Sequence, residues 1–255
     1  QMCIRDRKLL SPGFMTDFIY YILDIIAEVF VLAAWVMATR WFYDHALWFL
    51  TIDSIQQWPQ WVLMILGYLV IDLNGWFTHW VRHKVPWFWY FHTVHHSQTQ
   101  MNMFTDMRYH VLEYVIAHTI TFIPLFALGI SSPNIVVIGL LKKWYRRFYH
   151  ANIRMNLGPL RYILVTPQSH RIHHSKSREH HDMNFGATLS IWDQLFGTQY
   201  RGWDEYPSTG VEDVQFPKEE TFRGSFRAVI QQFIYPFRLI RQSLAEYGNR
   251  VNTGP

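Results

Sequence analysis

Nine histidines in this sequence are candidates to act together, eight of them at spacings that share a helix face. His79 and His83 form HxxxH, His92, His95 and His96 form HxxHH, His170, His173 and His174 repeat HxxHH, and His150 lies alone between them. Positions i, i+3 and i+4 of an α-helix lie one turn apart on one side, so each HxxHH offers three imidazoles on a patch and the HxxxH pair offers two. Imidazole is the commonest protein metal ligand and suits iron, zinc, copper and nickel. Gathering so many imidazoles without a metal gains nothing and invites repulsion once they protonate. Nine exceed the needs of one ion, so two metal ions are expected. His110, at the start of an apolar stretch, is a further candidate ligand or outer partner, while His45, His118, His180 and His181 carry weaker signals.

Competing chemistries fail on spacing. The sequence holds no HExxH and no CxxCH, no GxGxxG follows a strand, and its single cysteine is Cys3. Zincin-type proteolysis, attached haem, a built-in nicotinamide domain, cysteine-held metal and a disulfide scaffold are thereby set aside. No nucleic-acid motif occurs, so no nucleic-acid partner is expected.

The elements that must position these histidines are apolar. Half of the 255 residues are hydrophobic, 18% are aromatic and only 16% are charged, against about 25% charged in an ordinary soluble domain. Four stretches, 18–41, 59–80, 111–128 and 133–150, approach the roughly 20 residues that span a bilayer. Trp58, Trp61, Trp76 and Trp80 flank the second, as interfacial aromatics do. A soluble helical protein with a very apolar core is the alternative, and Trp at both ends of such a helix disfavours it. The expected fold is all-α: an integral-membrane bundle of about four helices with a cytoplasmic histidine-rich helical cap. Of 23 Lys and Arg only Arg40 falls near an exterior end in this arrangement, which puts the histidines and both termini on the cytoplasmic side. Residues 1–14 are expected to be a non-native or disordered leader, 15–224 the membrane domain, and 225–255 an amphipathic C-terminal helix and tail. Val229, Ile230, Phe233, Ile234, Phe237 and Ile240 form the apolar stripe of that helix. Lys142, Lys143, Arg146, Arg147 and Arg154 read first as topogenic charge, and second as a docking face for an acidic donor or lipid phosphate.

Several segments together carry a family resemblance. Asp72 to His83 (DLNGWFTHWVRH), His92 to Ser97 (HTVHHS), Met101-Asn102 and Arg108 to Glu113 (RYHVLE) are among them. Phe148 to Arg154 (FYHANIR), Pro167 to Ser175 (PQSHRIHHS), Asn184 to Gly186 (NFG) and Ile191 to Thr198 (IWDQLFGT) complete the order. Over roughly residues 60–205 the chain resembles the fatty acid hydroxylase/sterol desaturase superfamily. That resemblance implies an integral-membrane di-iron oxygenase that uses O2 to hydroxylate or desaturate a lipid C–H. It implies two irons held by His79, His83, His92, His95, His96, His150, His170, His173 and His174, with zinc as a competitor in preparations. Asp72, two turns before His79, is the expected acceptor for an imidazole N–H. Asn184 and Asp193 belong to the closing motif, as structural or outer partners. Where some members carry a further histidine this chain has Arg146, which leaves the ligand set at nine. Electrons are expected from a separate protein such as a cytochrome b5 or a ferredoxin. Sterol, fatty acyl, sphingoid, alkylglycerol and carotenoid substrates stay open. The non-enzymatic alternative is a membrane metal sensor, store or carrier. A carrier needs a polar path through the spans, and Asp24, Glu28, Asp72 and His118 are too scattered to draw one.

Overall fold

The computed structural model describes residues 11–55, 57–130 and 132–252, so most of the expected leader lies outside the described residues. Its last part does not: α1 (Pro12–Ile26) begins on a Ser11 cap whose hydroxyl accepts from Phe14 N at 3.1 Å, satisfying one free N-terminal donor. The chain continues through a π-helical stretch (Ala27–Leu32) into α2 (Ala33–Phe42). A bend of 43° separates the two halves, so the first expected span is a broken pair and not one straight rod. α3 (Gln60–Lys84) is the one described helix that is long and apolar enough by itself to cross a bilayer. α5 (Val111–Ala127) is apolar but has 17 residues with Pro124 inside. α6 (Ser132–His150) loses apolar character at Lys142. Among the described residues, therefore, one helix, or two with the bent pair counted, meets the length and composition of a span, where the sequence suggested four.

The charges inside the apolar stretches have partners. Lys143 reaches Asp24 at 3.3 Å and Glu28 at 2.5 Å, Lys142 pairs with Asp72, and Arg146 lies 3.4 Å from Asp106. These three cations turn inward and fasten α6 to α1, to α3 and to the loop before α5. That corrects their reading as a donor-docking face. A second polar lock is built on the fully buried Asp17–Arg108 pair. Arg108 donates to Asp17 at 2.7 Å, to Ser97 Oγ at 2.7 Å and to Glu219 at 2.9 Å, while Gln98, Asn102 and Thr105 donate to the other Asp17 oxygen. It ties α1 to the chain that follows the second histidine group.

α4 (Pro86–His96) folds back from α3 because Val85, held extended before Pro86, cannot continue the helix. That corner brings HxxHH beside HxxxH. α7 (Pro167–His173) opens on a capping box between Thr166 and Ser169, with Pro167 at its first position. α8 (Ile191–Leu195) is short, and α9 (Phe222–Asn252) lies along α1 and α4. No strand occurs among the described residues; two isolated bridges, Leu164 with Leu189 and Ser175 with Thr209, pin the loops. One apolar core around Leu63, Phe122, Leu125 and Ile138 holds α3, α5 and α6 together, and another around Tyr20, Val94, Val229 and Tyr235 holds α1, α4 and α9. The expected C-terminal stripe is divided: Val229 is buried, whereas Ile230, Ile234 and Phe237 are exposed.

Candidate metal centre

The nine imidazoles converge, and the fold sorts them into two adjoining groups. His79, His83, His92, His96 and His173 form one, and His95, His150, His170 and His174 form the other, each with nitrogens within 4.8 Å of one another. The division follows helical phase. On α4, His92 and His96 are four apart and face the first group, while His95 turns to the second. On α7, His170 and the adjoining His174 face the second group and His173 crosses to the first. Each HxxHH thus serves both groups.

The nitrogens show how the rings are poised. His79 Nδ1 donates to Phe185 O at 2.9 Å, His173 Nδ1 to Met183 O at 2.8 Å, His150 Nδ1 to Arg146 O at 2.8 Å, and His92 Nδ1 to Glu113 at 2.9 Å. His83 Nδ1 lies 3.6 Å from Asp182. An Nδ1–H committed to an acceptor leaves the Nε2 lone pair free and aims it inward. The inward atoms meet each other. Nε2–Nε2 distances are 3.2 Å for His83–His96, 3.1 Å for His173–His96, 3.3 Å for His150–His95, 2.8 Å for His170–His150 and 3.1 Å for His174–His170. Lone pairs that close repel unless they share a cation. Metal–imidazole bonds of about 2.0–2.1 Å put neighbouring ligand nitrogens about 3.0–3.4 Å apart, so both groups fit metal ions. The buried Nε2 atoms of His79 and His92 have no hydrogen-bond partner, as ligand atoms would not.

Burial and the neighbouring rings hold His92, His95, His96, His170, His173 and His174 well below the ordinary 6.5. Neutral imidazole is the form that binds metal. The sign for stability follows. Below pH 6.5 the unfolded chain takes up protons that the folded core excludes, so stability is complete above that pH and falls as pH drops toward the folded values. Chelator-treated protein should melt progressively lower between pH 7 and pH 5. A melting temperature flat across that window would contradict a neutral histidine core.

The expected outer partners are placed differently from the reading of the sequence. Asp72 touches no imidazole; it accepts from Lys142, from Leu189 N at 2.9 Å and from Trp192 Nε1 at 3.0 Å. Its position on α3 aims it at α6 and the closing loop, away from His79. His110 caps α5, accepting from Leu112 N at 3.2 Å, and its Nε2 donates to Phe233 O. It is neither ligand nor outer partner, because those bonds use both nitrogens. Asp193 acts at one remove: it accepts from Phe185 N and Gly186 N at 2.8 Å and from Trp76 Nε1 at 3.0 Å, holding the loop whose Phe185 carbonyl receives His79. Burial pushes Asp193 up to about 6 against those donors. A Cβ on Gly186 would approach Asp193 Oδ2 and Val165 to 2.8 Å, so any side chain there would displace the Asp193 carboxylate or Val165. Asn184, at φ 60°, donates to Ser169 O and accepts from Tyr200 N, bracing α7.

Glu113 is the outer partner that spacing did not indicate. It ends the RYHVLE segment, which assigns it no role, and the fold puts it 2.9 Å from His92 and 3.1 Å from Arg82. Asp106, 3.7 Å from His150 Nδ1, and Tyr109, stacked on His95 at 4.5 Å, likewise have no role assigned from the sequence. Glu113→Gln should weaken metal retention about 10- to 100-fold, the usual cost of losing such a partner. Competition with a chromogenic chelator measures it, and unchanged retention would remove Glu113 from the site. A third acid–histidine group, Glu179, His180 and Glu205, is already satisfied: His180 bonds Ser175 Oγ and Glu205 Oε2, both at 2.9 Å.

Sequence comparison agrees with this geometry. Ornithine lipid hydroxylase OlsE of Rhizobium tropici is 34% identical over 142 residues, 56% of this chain and 43% of its own. Alkylglycerol monooxygenase of Homo sapiens is 36% identical over 133 residues, 52% of this chain and 29% of its own, and that of Danio rerio is 31% identical over 151, 59% and 32%. The chain thus spans less than half the length of these curated relatives. No solved structure matches significantly. The sequence model described as Fatty acid hydroxylase matches residues 64–198, a stretch that contains all nine converging histidines and more than half of the chain, and the protein belongs to that family.

Proposed function

We propose that this protein is a membrane-bound di-iron hydroxylase that inserts oxygen into a C–H bond of a lipid. The observation that carries the reading is the set of inward Nε2 atoms, five and four in number, meeting at one end of α3. Its relatives are named for lipid hydroxylation and alkylglycerol oxidation. Redox-inert zinc cannot activate O2, and the family resemblance implies iron, so iron is the metal we assign, with His79, His83, His92, His96 and His173 to hold one ion and His95, His150, His170 and His174 the other. Bound there, the irons supply the oxidising power that an aliphatic C–H requires. One oxygen atom of O2 enters the C–H bond, and the other leaves as water after taking two protons and two electrons from a separate donor protein. The chain's own contribution is orientation. Phe185 O, Glu113, Arg146 O and Met183 O fix which nitrogen faces inward on His79, His92, His150 and His173. Packing of Tyr109 on His95 and of Trp89 on His83 and His96 keeps the rings in place.

Membrane residence is supported by the apolar surfaces of α3, α6 and the bent α1–α2 pair. Phe30, Trp61 and Val136 are 70%, 67% and 60% exposed, which water would penalise and acyl chains would not. A four-span arrangement with the histidines cytoplasmic is the topology that the Lys/Arg asymmetry favours. Cysteines introduced at positions 100 and 178 should label only from the cytoplasm, and one at position 132 only from outside. Labelling of 132 and 178 from the same side would overturn it.

Two measurements test the function. Protein purified without a histidine tag should hold about two metals per chain, and a value near one would argue for a single mononuclear site. Lipids of a host making the protein should gain +16 products that require O2 and are absent with His95→Ala. Products of −2 alone would make it a desaturase, and no O2-dependent product would favour metal storage.

A further inference from the structure

The C-terminal helix α9 has two unlike faces. Ser225, Ala228, Val229, Gln232 and Tyr235 are buried, on the side that packs against α1 and α4. Tyr20 of α1 donates to Gln232 Oε1 at 3.1 Å, and Phe91 of α4 meets Phe237 at 5.6 Å. The outer side is apolar too. Phe222, Phe226, Ile230, Ile234 and Phe237 are each between 45% and 65% exposed. Steps of four and three residues keep them within about 120° of the helix circumference. Charge is spread as unevenly. Arg223, Arg227, Arg238 and Arg241 are exposed and run along one edge of this strip. Among the described residues Arg223, Arg227 and Arg241 have no carboxylate partner, while Arg238 rests on Tyr235 and donates to Gln215 O at 3.2 Å. Glu246 is the only acid in α9, and helical phase puts it on the side away from the strip.

Resting on the membrane residence argued above and not on the oxygen chemistry, we propose that the outer face of α9 docks in the plane of an anionic lipid leaflet. The aromatic and aliphatic strip enters the acyl boundary, and the arginines along its edge meet lipid phosphate. α9 has 31 residues, enough length to cross a bilayer, but no part of it is apolar enough to be a span. Water would penalise so long an apolar strip, and a second copy of the chain seated there would add arginines of its own and no acid to meet them. An anionic leaflet satisfies both halves of the face at once. The inner face then transmits the attachment. α4 carries His92, His95 and His96, and His110 Nε2 donates to Phe233 O at 3.2 Å, so α9 holds the histidine groups at a set depth beside the headgroup layer.

The test uses the full chain with Cys3→Ser, in nanodiscs of phosphatidylcholine mixed with phosphatidylglycerol. Single nitroxide labels are placed at Phe226→Cys and Ile234→Cys, and at Ile65→Cys on the exposed side of α3 as a membrane reference. Power saturation compares collisions with O2, which concentrates among acyl chains, and with a water-soluble nickel chelate. Both α9 labels should collide mainly with O2, and a label at Gln231→Cys, beyond the arginine edge, mainly with nickel. Nickel-dominated collisions at 226 and 234, with O2-dominated collisions at 65, would overturn the proposal and leave membrane residence standing. Few collisions with either reagent at 226 and 234 would mean that protein covers the strip, which overturns it as well. Nickel-dominated collisions at all four positions would instead remove the membrane reading on which it rests. Native mass spectrometry tests the charge. Wild-type protein should retain phosphatidylglycerol over phosphatidylcholine, and Arg227→Gln/Arg241→Gln should cut that preference at least about threefold without lowering the melting temperature, since both side chains are exposed. Equal retention of the two lipids by wild type, or a preference untouched by the double change, would overturn the anionic docking.

Discussion

Replacing His95 or His173 by alanine lowers oxidation of lipid by at least about 100-fold, and replacing His45 leaves it at the wild-type level. His95 belongs to the four-imidazole group, 3.3 Å from His150, and His173 to the five-imidazole group, 3.1 Å from His96. Loss of a ligand changes the charge, geometry and potential of a redox metal together, and outer partners alone already cost about 10- to 100-fold. The two variants should differ in metal content. Four imidazoles reduced to three retain metal poorly, whereas five reduced to four still complete a tetrahedral set. His95→Ala should therefore fall toward one metal per chain, and His173→Ala should stay closer to two while losing turnover. His45 stacks on Trp41 at 4.5 Å and bonds its carbonyl, remote from both groups. Metal analysis and the yield of +16 lipid, at matched expression, decide the outcome. Full activity in His95→Ala would end the two-metal mechanism, and equal loss in His45→Ala would show that the effect is general to the fold.

Asp17→Ala produces the largest loss of stability expected outside the histidines. Asp17 and Arg108 are both fully buried, and Arg108 Nε meets Asp17 at 2.7 Å. Removing the acid leaves a guanidinium without its main partner and strips three further donors of their acceptor. Breaking such a pair costs about 3–5 kcal/mol, which for a chain of this size lowers the melting temperature by about 10 °C. Removing both charges, as Asp17→Ala with Arg108→Met, should recover part of the loss, because no unpaired guanidinium is then buried. Glu219 keeps the recovery incomplete, since it loses Arg108 as well. Tryptophan fluorescence melts of detergent-solubilised protein measure both variants. A shift under about 2 °C for Asp17→Ala would show the lock to be dispensable.

The chemistry was legible in the sequence because ligand spacing is a local property. HxxxH and HxxHH put imidazoles on one helix face whatever surrounds them, and the count of nine already called for two ions. The break between the stretches 111–128 and 133–150 is local too, and it lies close to where α5 ends and α6 begins. Other properties depend on which chains meet across space. Nothing in HxxHH says that its first and third members serve one metal group and its second the other; that follows from the crossing of α4 and α7, which sets the phase of each helix against the other. Asp72 lies on the side of α3 that meets α6, so Lys142 claims it, and His79 takes its acceptor from the Phe185 loop 106 residues away. The apolar stretches were visible as composition, yet the bend in the first and the inward lysines of the last are set by packing. The role of Glu113 stayed hidden for the same reason. An isolated acid in an apolar block says only that some partner must exist, and the close approach of α5 to α3 and α4 supplies His92 and Arg82. Spacing along a helix is written residue by residue, while partnership between helices exists only once their side chains compete for the same buried space.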